Sequence, residues 1–205
     1  MAGSQANQKQ NPTKKKILQH AKTLLWQRGY EGMSLNDLVA KAKISKGGLF
    51  HYFPNKKAIT TTVLERYFIK HITTVLENHM QGAENAMQVK VALLNWLEET
   101  YKNYAEKDFK EGCMLGNFAL ETADTEEDLR ELMKAMFIAW ENQLVSYLRP
   151  LAQDGKLLMD ARQFARLLIA MLEGITMTCK VHRDNIRASR DFQAVAEFIE
   201  RMIRD

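Results

Sequence analysis

The side chains best suited to bind a polyanion lie between residues 34 and 56, in the segment SLNDLVAKAKISKGGLFHYFPNK. Basic, amide and aromatic residues are mixed there at a helical spacing. Lys46 can donate hydrogen bonds to guanine acceptors, His51 can donate to an acceptor, and Asn36 could reach an adenine. These residue types predict recognition of base edges and phosphates in duplex DNA.

Phosphate contacts are predicted near the starts of helices in the same region. Lys56 falls in the first turn of a helix, beside backbone N–H groups that have no partner within that helix, and such a position binds anions well. Ser34 and Thr13 can offer a hydroxyl and terminal amides in the same way. Gly47 and Gly48 each cost a helix about 1 kcal/mol relative to alanine, and they make sense where the backbone must approach another surface closely.

Two short helices joined by a tight turn would position these residues. Ser34 predicts the N-cap of the first helix and Ser45 that of the second, which must stop before Pro54. An earlier helix, from a cap at Thr13 to near Gly29, completes a three-helix head. The spacing of these elements predicts a helix-turn-helix, in which the second short helix enters the major groove.

The rest of the chain has helical periodicity and no strand alternation. Its predicted helices run from Asn55 to about His79, from Asn85 to about Lys107, through Met114 to Leu120, from Thr125 to about Leu151, from Ala161 to His182 and from Ser189 to Arg204. We therefore predict an all-α protein of about nine helices. Its expected organisation is a disordered tail at 1–12, a helix-turn-helix domain at 13–58, and a helical effector-binding and dimerisation domain at 59–205.

The charge distribution supports this division. Residues 1–57 contain eleven Lys or Arg and two acidic residues, a net charge of +9, whereas the remainder carries −5 within an overall +4. A basic end on an acidic body is typical of a protein that meets a polyanion at one end only. No apolar run approaches the roughly 18 residues that span a bilayer, so we expect a cytoplasmic bacterial protein with no membrane partner.

Residues 13 to about 60 also resemble a known family. The run KKKILQHAKTLLWQRGYEGMSLNDLVAKAKISKGGLFHYFPNKKAI, with its pattern S-K-G-x-L-x-x-Y-F-x-x-K, is similar to the DNA-binding head of the TetR family of bacterial transcriptional repressors. The resemblance implies a three-helix head, an all-helical ligand-binding body, and a homodimer on a palindromic operator. By position it assigns DNA contacts to Ser34, Asn36, Ser45, Lys46, Gly47, Gly48, Phe50, His51, Tyr52 and Lys56.

The sequence departs from the family pattern at three positions. Lys43 stands where the turn usually has glycine, so we expect either a strained left-handed conformation or a different turn. Gly48 replaces a usual threonine and Phe50 a usual tyrosine, so two side-chain contacts of the family are absent. Core packing is the alternative interpretation of Phe50 and Tyr52.

The last two helices are rich in apolar and small residues, and two such helices from each subunit form a four-helix bundle in TetR-like proteins. The predicted dimer interface is Leu168, Met171, Gly174, Ile175, Val195, Phe198, Ile199 and Met202. The alternative is an ordinary core within one chain. A two-fold dimer is favoured because the terminal helix would otherwise leave an apolar patch exposed.

Aromatic residues and methionines on the middle helices predict an adaptable pocket for a small apolar ligand. The predicted pocket residues are Trp96, Tyr104, Met114, Phe118, Phe137 and Trp140. Ordinary core packing would have the same composition.

Cys113 is a candidate redox sensor. It follows Gly112 at the expected start of a helix, where free amides and the helix dipole would stabilise a thiolate. The segment EGCMLGNFALE also resembles a TetR subgroup that represses electrophile-detoxifying reductases, in which a cysteine here is the sensor. A buried, inert cysteine is the alternative. Cys179 and His182 supply two ligands only, so we predict no metal site and no cofactor.

The predicted function is a homodimeric repressor that an apolar ligand, or modification of Cys113, releases from DNA. The alternative is a DNA-binding adaptor whose body binds a protein partner and has no small-molecule effector. An enzyme using Cys113 is not predicted, because no His and acid stand at a spacing that would activate the thiol.

Overall fold

A computed structural model of the protein describes residues 11–204, with the side chains of residues 68–72 excepted. Within that range the chain forms ten α-helices and a short π-helical stretch. The helices are α1 (Pro12–Gly32), α2 (Leu35–Ala42), α3 (Lys46–Tyr52), α4 (Lys56–Val63), α5 (Ile69–Met80), α6 (Ala86–Ala105), α7 (Met114–Thr122), α8 (Glu127–Gln153), α9 (Ala161–His182) and α10 (Asn185–Met202), and the π-helical stretch is Leu64–Phe68. The predicted all-α class is confirmed.

The chain divides into two compact units, one ending at Tyr67 and the other beginning at Phe68. The first unit extends beyond residue 58, where the sequence placed the end of the head, because α4 packs on α1. Of the tail predicted at residues 1–12, all but the last two residues lie outside the described part of the chain. Asn11 caps α1 and Pro12 is its first residue.

Three predicted helix caps of the first unit are confirmed. The side chains of Ser34, Ser45 and Asn55 each accept a hydrogen bond from the amide three residues on, at 3.0, 3.0 and 2.8 Å. Each bond satisfies a terminal N–H group that has no partner within the helix, which is worth about 1 kcal/mol. These local bonds fix the ends of the helices around the turn.

The turn before α3 contains Lys43 in the left-handed region, at φ 51° and ψ 52°. This confirms the strained conformation expected at a position without glycine. The Lys43 amide remains bonded to the carbonyls of Ala40 and Val39, so the end of α2 is satisfied.

Three predicted helix starts are wrong. The cap of α1 is Asn11, whose side chain accepts from the Thr13 amide at 3.0 Å, because Pro12 has no N–H and suits the first helical position. The N-cap of α8 is Glu126, without a side-chain bond, rather than Thr125. Helix α10 begins at Asn185 instead of Ser189, since Asp184 caps it with bonds to two amides.

The second unit has one large apolar core between α6, α8, α9 and α10. At its centre the rings of Trp96 and Trp140 pack edge to face, with centroids 6.4 Å apart. Each fully buried leucine or phenylalanine in such a core contributes about 2 kcal/mol by leaving water. None of the helices in residues 11–204 has the length and apolar character needed to cross a bilayer.

Candidate DNA-binding surface and thiol site

Helix α3 has one buried face and one free face. Leu49 is fully buried and the Phe53 side chain that follows the helix is 3% exposed, so both pack into the first unit. Lys46, Gly47 and His51 are exposed on the other side. The free face therefore offers cationic and hydrogen-bonding groups that the unit does not use for its own packing.

Gly47 leaves the backbone of α3 bare. A Cβ added at Gly47 would meet no atom within 4 Å, so the fold itself does not require glycine there. At Gly48 a Cβ would lie 3.2 Å from the Ser45 hydroxyl that caps the helix, so glycine protects the cap. Contacts within the protein therefore explain why position 48 is glycine, but they do not explain the glycine at position 47.

The two aromatic residues of α3 are available at the surface. Phe50 is 43% exposed, which argues against core packing, the alternative that the sequence left open. Tyr52 is half-buried, and its ring meets that of His51 edge to face at 5.0 Å. Ring packing therefore orders the His51 side chain on the free face.

The start of α2 lies at the surface of the same unit. Ser34 and Asn36 are exposed, while Asp37 bonds to Arg28 of α1 at 2.5 Å. That ion pair joins α1 to α2, and the Asn36 side chain beside it is exposed. The predicted polar contacts of α2 are thus accessible.

Lys56 is held by partners that the sequence analysis did not find. Its ammonium lies 4.5 Å from the centre of the Tyr30 ring and 3.3 Å from the carbonyl oxygen of Glu31, to which it donates. A cation over an aromatic face is attracted by the ring quadrupole, and this restricts a long side chain. An aromatic residue directly after Gly29, where the chain turns at φ 71°, was the signal available in the sequence.

The thiol site in the second unit lies at the start of α7. Cys113 is half-buried and is the N-cap residue, although its side chain makes no capping bond. The loop before it contains three left-handed residues, Asp108, Phe109 and Gly112. The Phe109 ring is buried 6.2 Å from the Tyr101 ring, and this packing holds the strained loop in place.

Glu173 of α9 is the group that sequence reasoning missed at this site. Its carboxylate and the Cys113 side chain both lie against Gly116, and the interaction with this carboxylate raises the pKa of the Cys113 thiol. A Cβ on Gly116 would overlap the carboxylate oxygen Oε2, so the carboxylate occupies space that the absence of a side chain at Gly116 provides. Sixty residues separate the cysteine from the glutamate, and no local pattern could have paired them.

The expected thiolate at Cys113 is wrong for this environment. Burial is the largest influence, and with the Glu173 carboxylate it raises the pKa of the Cys113 thiol well above its ordinary value. The amides of Gly116 and Leu115 lower this pKa, as a helix N-terminus should, but they are outweighed. Burial also raises the pKa of Glu173, while the interaction with the Cys113 thiol opposes that rise.

Two family comparisons cover most of the chain. Residues 17–61 match the family described as bacterial regulatory proteins, tetR family. Residues 90–190 match the C-terminal domain described as transcriptional regulator LmrA/YxaF-like. The chain belongs to the TetR family of transcriptional regulators.

Individual relatives of this TetR-family protein agree. A helix-turn-helix regulator from the lacX 3′ region of Lactococcus lactis is 27% identical over 172 residues, which is 84% of this chain and 85% of the relative. The transcriptional repressor NemR of Escherichia coli is 27% identical over 124 residues, 60% of this chain and 61% of NemR. These families and relatives are regulators of transcription and not enzymes, as the sequence predicted.

The fold is also found in solved structures. The reduced form of E. coli NemR superposes with a TM-score of 0.77 at 23% identity, covering 94% of this chain and 97% of NemR. A TetR-family regulator from Cytophaga hutchinsonii gives a TM-score of 0.79 at 23% identity, covering 93% and 94%. Both likenesses concern the fold.

The predicted dimer residues of this TetR-family chain fall into two groups. Leu168, Val195 and Ile199 are buried in the core of their own chain, at 0%, 2% and 0% exposure. Their side chains pack within their own chain, and the prediction is corrected for them. The remaining predicted residues are partly exposed: Met171, Gly174, Ile175, Phe198 and Met202.

The predicted effector residues lie inside the second unit. Four of them are buried and two are half-buried. The buried ones are Trp96, Met114, Phe118 and Trp140, and the half-buried ones are Tyr104 and Phe137. None of the six lines the open cleft of about 300 Å³ that Val145, Arg149, Ala152, Gln153, Asp160, Ala161 and Arg162 form.

Metal chemistry has no site in the described part of the chain. Among residues 11–204 no three His, Cys, Asp or Glu side chains are grouped so that they could hold an ion. Cys179, which the sequence pairs with His182, is 4% exposed beside Phe109 and Ala188. Burial raises the pKa of its thiol, so Cys179 is a packing residue.

Proposed function

We propose that this chain is a homodimeric transcriptional repressor that binds a palindromic operator through α3 of each subunit. Modification of Cys113, or binding of a small apolar ligand in the second unit, releases it. The observation that carries the proposal is the free face of α3, where Lys46 and His51 flank a backbone left bare at Gly47 without any packing reason.

The first unit offers contacts of both kinds that DNA recognition needs. Lys56, held over Tyr30, and the exposed start of α2 at Ser34 supply phosphate contacts. Lys46 and His51, exposed on α3, supply the contacts to base edges. Two such helices enter successive major grooves when they lie about 34–36 Å apart, which requires a dimer.

An apolar stripe along α9 supports the dimer. Leu167, Met177 and Val181 are 45%, 52% and 76% exposed, and Ala170 is also exposed. Gly174 lies among them with nothing within 4 Å of the position of a Cβ, so a second helix can approach closely. We define these five residues as the α9 stripe. Exposed apolar area of this kind is covered by association.

Similarity to relatives supports the proposed repression and release. NemR of E. coli is named a transcriptional repressor, and its solved structure is that of a reduced form. In this chain Cys113 is half-buried and lies beside Glu173 of α9 at Gly116, so a change at its sulfur alters the contact between α7 and α9. Helix α9 carries the α9 stripe, and this is a direct route from the thiol to the dimer.

A small ligand also has a polar anchor available. The indole N–H of Trp140 is buried and donates to no acceptor among the described residues. It packs against Trp96 within the predicted pocket, and a ligand carbonyl there would satisfy the N–H group. An apolar effector with one acceptor group would fit these two rings.

Fluorescence anisotropy with labelled fragments from upstream of the chain's own gene tests the proposal. We expect salt-sensitive binding to one fragment, because phosphate contacts release counterions. Replacing Lys56 by alanine should weaken binding similarly on every fragment and reduce the salt slope by about 1. Lys134→Ala, in the second unit and paired with Glu131, is the control and should change neither quantity. A DNA affinity that does not change with salt concentration would refute the proposal.

A further inference from the structure

The Cys113 thiol is not isolated, because a titratable group of another helix lies beside it. The carboxylate of Glu173, on α9, lies against Gly116 where the Cys113 Cβ is 3.9 Å from the position of a Cβ, and it interacts with the thiol. The side chain is half-buried, and its carboxylate fits against the bare backbone of Gly116. The carboxylate therefore lies at the start of α7, next to the residue that carries the thiol.

The pair of Cys113 and Glu173 carries a negative charge, and no lysine or arginine acts on it directly among the contacts of the described residues. Tyr104 of α6 interacts with both Cys113 and Glu173, and burial raises the pKa of its phenol. Glu111, just before the thiol, bonds to Lys107 at 2.6 Å. On α9, the ammonium of Lys180 donates to Asn117 at 3.3 Å, and its Cδ lies 3.3 Å from the position of a Cβ on Gly112.

A protonated thiol is a poor nucleophile, because the thiolate is the reactive form. A cysteine in this setting reacts at neutral pH only if a base removes its proton during the attack. Such a base must lie within hydrogen-bonding distance of the sulfur, and its pKa must have moved towards that of the working pH. Burial raises the pKa of Glu173, which moves it towards neutral pH.

We propose that Glu173 is the proton acceptor of Cys113, so that the two residues act as a one-proton pair when the thiol reacts with a carbon electrophile. This inference rests on the proposed sensor role of Cys113 and names the residue that makes the sensor reactive. It assigns Gly116 a part as well, since its lack of a side chain lets the carboxylate lie beside the sulfur.

The step balances for an electrophile with a carbon–carbon double bond conjugated to a carbonyl. The sulfur forms a bond to the alkene carbon that lies β to the carbonyl. The electron pair of the alkene becomes the carbon–carbon double bond of an enolate, and the π pair of the carbonyl moves to its oxygen. The thiol proton goes to the Glu173 carboxylate. The carboxylic acid then returns that proton to the enolate carbon, so the products are a neutral thioether and the original carboxylate.

The test is the rate of alkylation of Cys113 by N-ethylmaleimide in the full chain, followed by peptide mass mapping between pH 5 and 10. The wild-type rate should rise through a midpoint above the ordinary pKa of a glutamate, as Glu173 loses its proton. Glu173→Gln keeps the size of the side chain but cannot accept the proton. Its rate at pH 7 should be at least about tenfold lower, and the two curves should converge at alkaline pH.

Two further variants separate a base from a general effect of charge or folding. Gly116→Ala keeps the carboxylate but displaces it, and should also lower the rate at pH 7. Glu111→Gln removes a nearby charge that is not bonded to the sulfur, and should leave the profile as in the wild type. Thermal melts identify any variant that does not fold. If Glu173→Gln does not fold, the alkylation rate of Gly116→Ala alone decides whether the proposal stands.

Three results would overturn the proposal. One is an unchanged or faster rate in the deciding variant, which would mean that Glu173 only packs against the thiol or suppresses it. Another is a loss of rate in Glu111→Gln as large as that in Glu173→Gln. The third is a wild-type pH profile in Glu173→Gln. The assay contains no DNA, so these results leave the regulator itself untouched, whereas failure of DNA binding leaves the alkylation chemistry untouched.

Discussion

The carboxylate of Glu173 occupies the space that a side chain on Gly116 would fill. Because the same carboxylate lies beside Cys113 and interacts with its thiol, Gly116, Cys113 and α9 meet at one place. A group added to the sulfur must displace the carboxylate or move α7 away from α9. This relationship gives Cys113 a mechanical connection to the helix that carries the α9 stripe.

Replacing Cys113 by serine should separate DNA binding from release. The variant should bind the operator as the wild type does, because the thiol lies outside the first unit, and it should stay bound when N-ethylmaleimide is added. Fluorescence anisotropy before and after the reagent measures both properties. Cys179→Ser is the matched control and should be released normally, since Cys179 is 4% exposed. Release of the Cys113 variant by the reagent would exclude the thiol mechanism.

Replacing Gly47 by alanine should raise stability and weaken DNA binding in the same variant. The added methyl group meets nothing within 4 Å in the protein. Its effect on the helix should therefore be favourable, at about 0.5–1 kcal/mol in the free energy of unfolding. On DNA the methyl group would lie between the backbone of α3 and the bases. Urea denaturation and operator affinity test the two parts, and unchanged affinity would contradict the role assigned to this face.

Replacing Met177 by glutamate should dissociate the dimer. Met177 lies in the middle of the α9 stripe at 52% exposure, and a charge there would be buried without a partner in the dimer. Sedimentation velocity should show a monomer. Met87→Glu on α6 is the control, because Met87 is equally exposed at 51% and lies outside the stripe. If both variants remained dimeric, the subunits would have to meet elsewhere.

Replacing Glu141 by glutamine should destabilise the second unit in a pH-dependent way. Glu141 is 9% exposed and accepts hydrogen bonds from Arg162 and, at 3.0 Å, from Arg166. Burial acts to raise the pKa of this carboxyl, but the bonds from the two arginines outweigh it and the pKa is lowered overall. The loss in free energy of unfolding should be about 2 kcal/mol at neutral pH.

The sign of the pH dependence follows from the lowered pKa. Stability from Glu141 is present above the ordinary glutamate value of 4.5 and is lost as the pH falls through the lower value of the folded protein. The wild type and the variant should therefore converge in acid. Glu98→Gln, in an exposed pair with Lys102, should leave the unfolding curve unchanged. A gap between wild type and Glu141→Gln that persisted at low pH would contradict this assignment.

Local chemistry explains why much of the first unit could be predicted from the sequence. Ser34, Ser45 and Asn55 cap the helices that follow them, and capping depends on residues within one turn. The starts of α1 and α10 were misplaced for the same kind of reason. In each case a neighbouring polar residue, Asn11 or Asp184, competed for the cap and formed the bonds.

Contacts between distant residues could not be predicted in the same way. A helical stripe shows which residues share a face, but not whether that face meets the chain's own core or a second subunit. Leu168 and Val195 were therefore assigned to the dimer although their own chain buries them. Glu173 comes close to Cys113 only because α7 lies against α9. The prediction of a thiolate at the start of the helix therefore took no account of Glu173, which after burial has the largest effect on the pKa of the thiol.

The central claim is that a dimer places two copies of α3 on one duplex, and footprinting upstream of the chain's own gene tests it most directly. We expect two protected tracts related by a two-fold axis, with centres one helical turn or a multiple of it apart, about 10–10.5 base pairs per turn. Lys46→Ala should weaken both tracts together, since Lys46 lies on the free face of each α3. A single protected tract, or protection that Lys46→Ala leaves intact, would contradict the account.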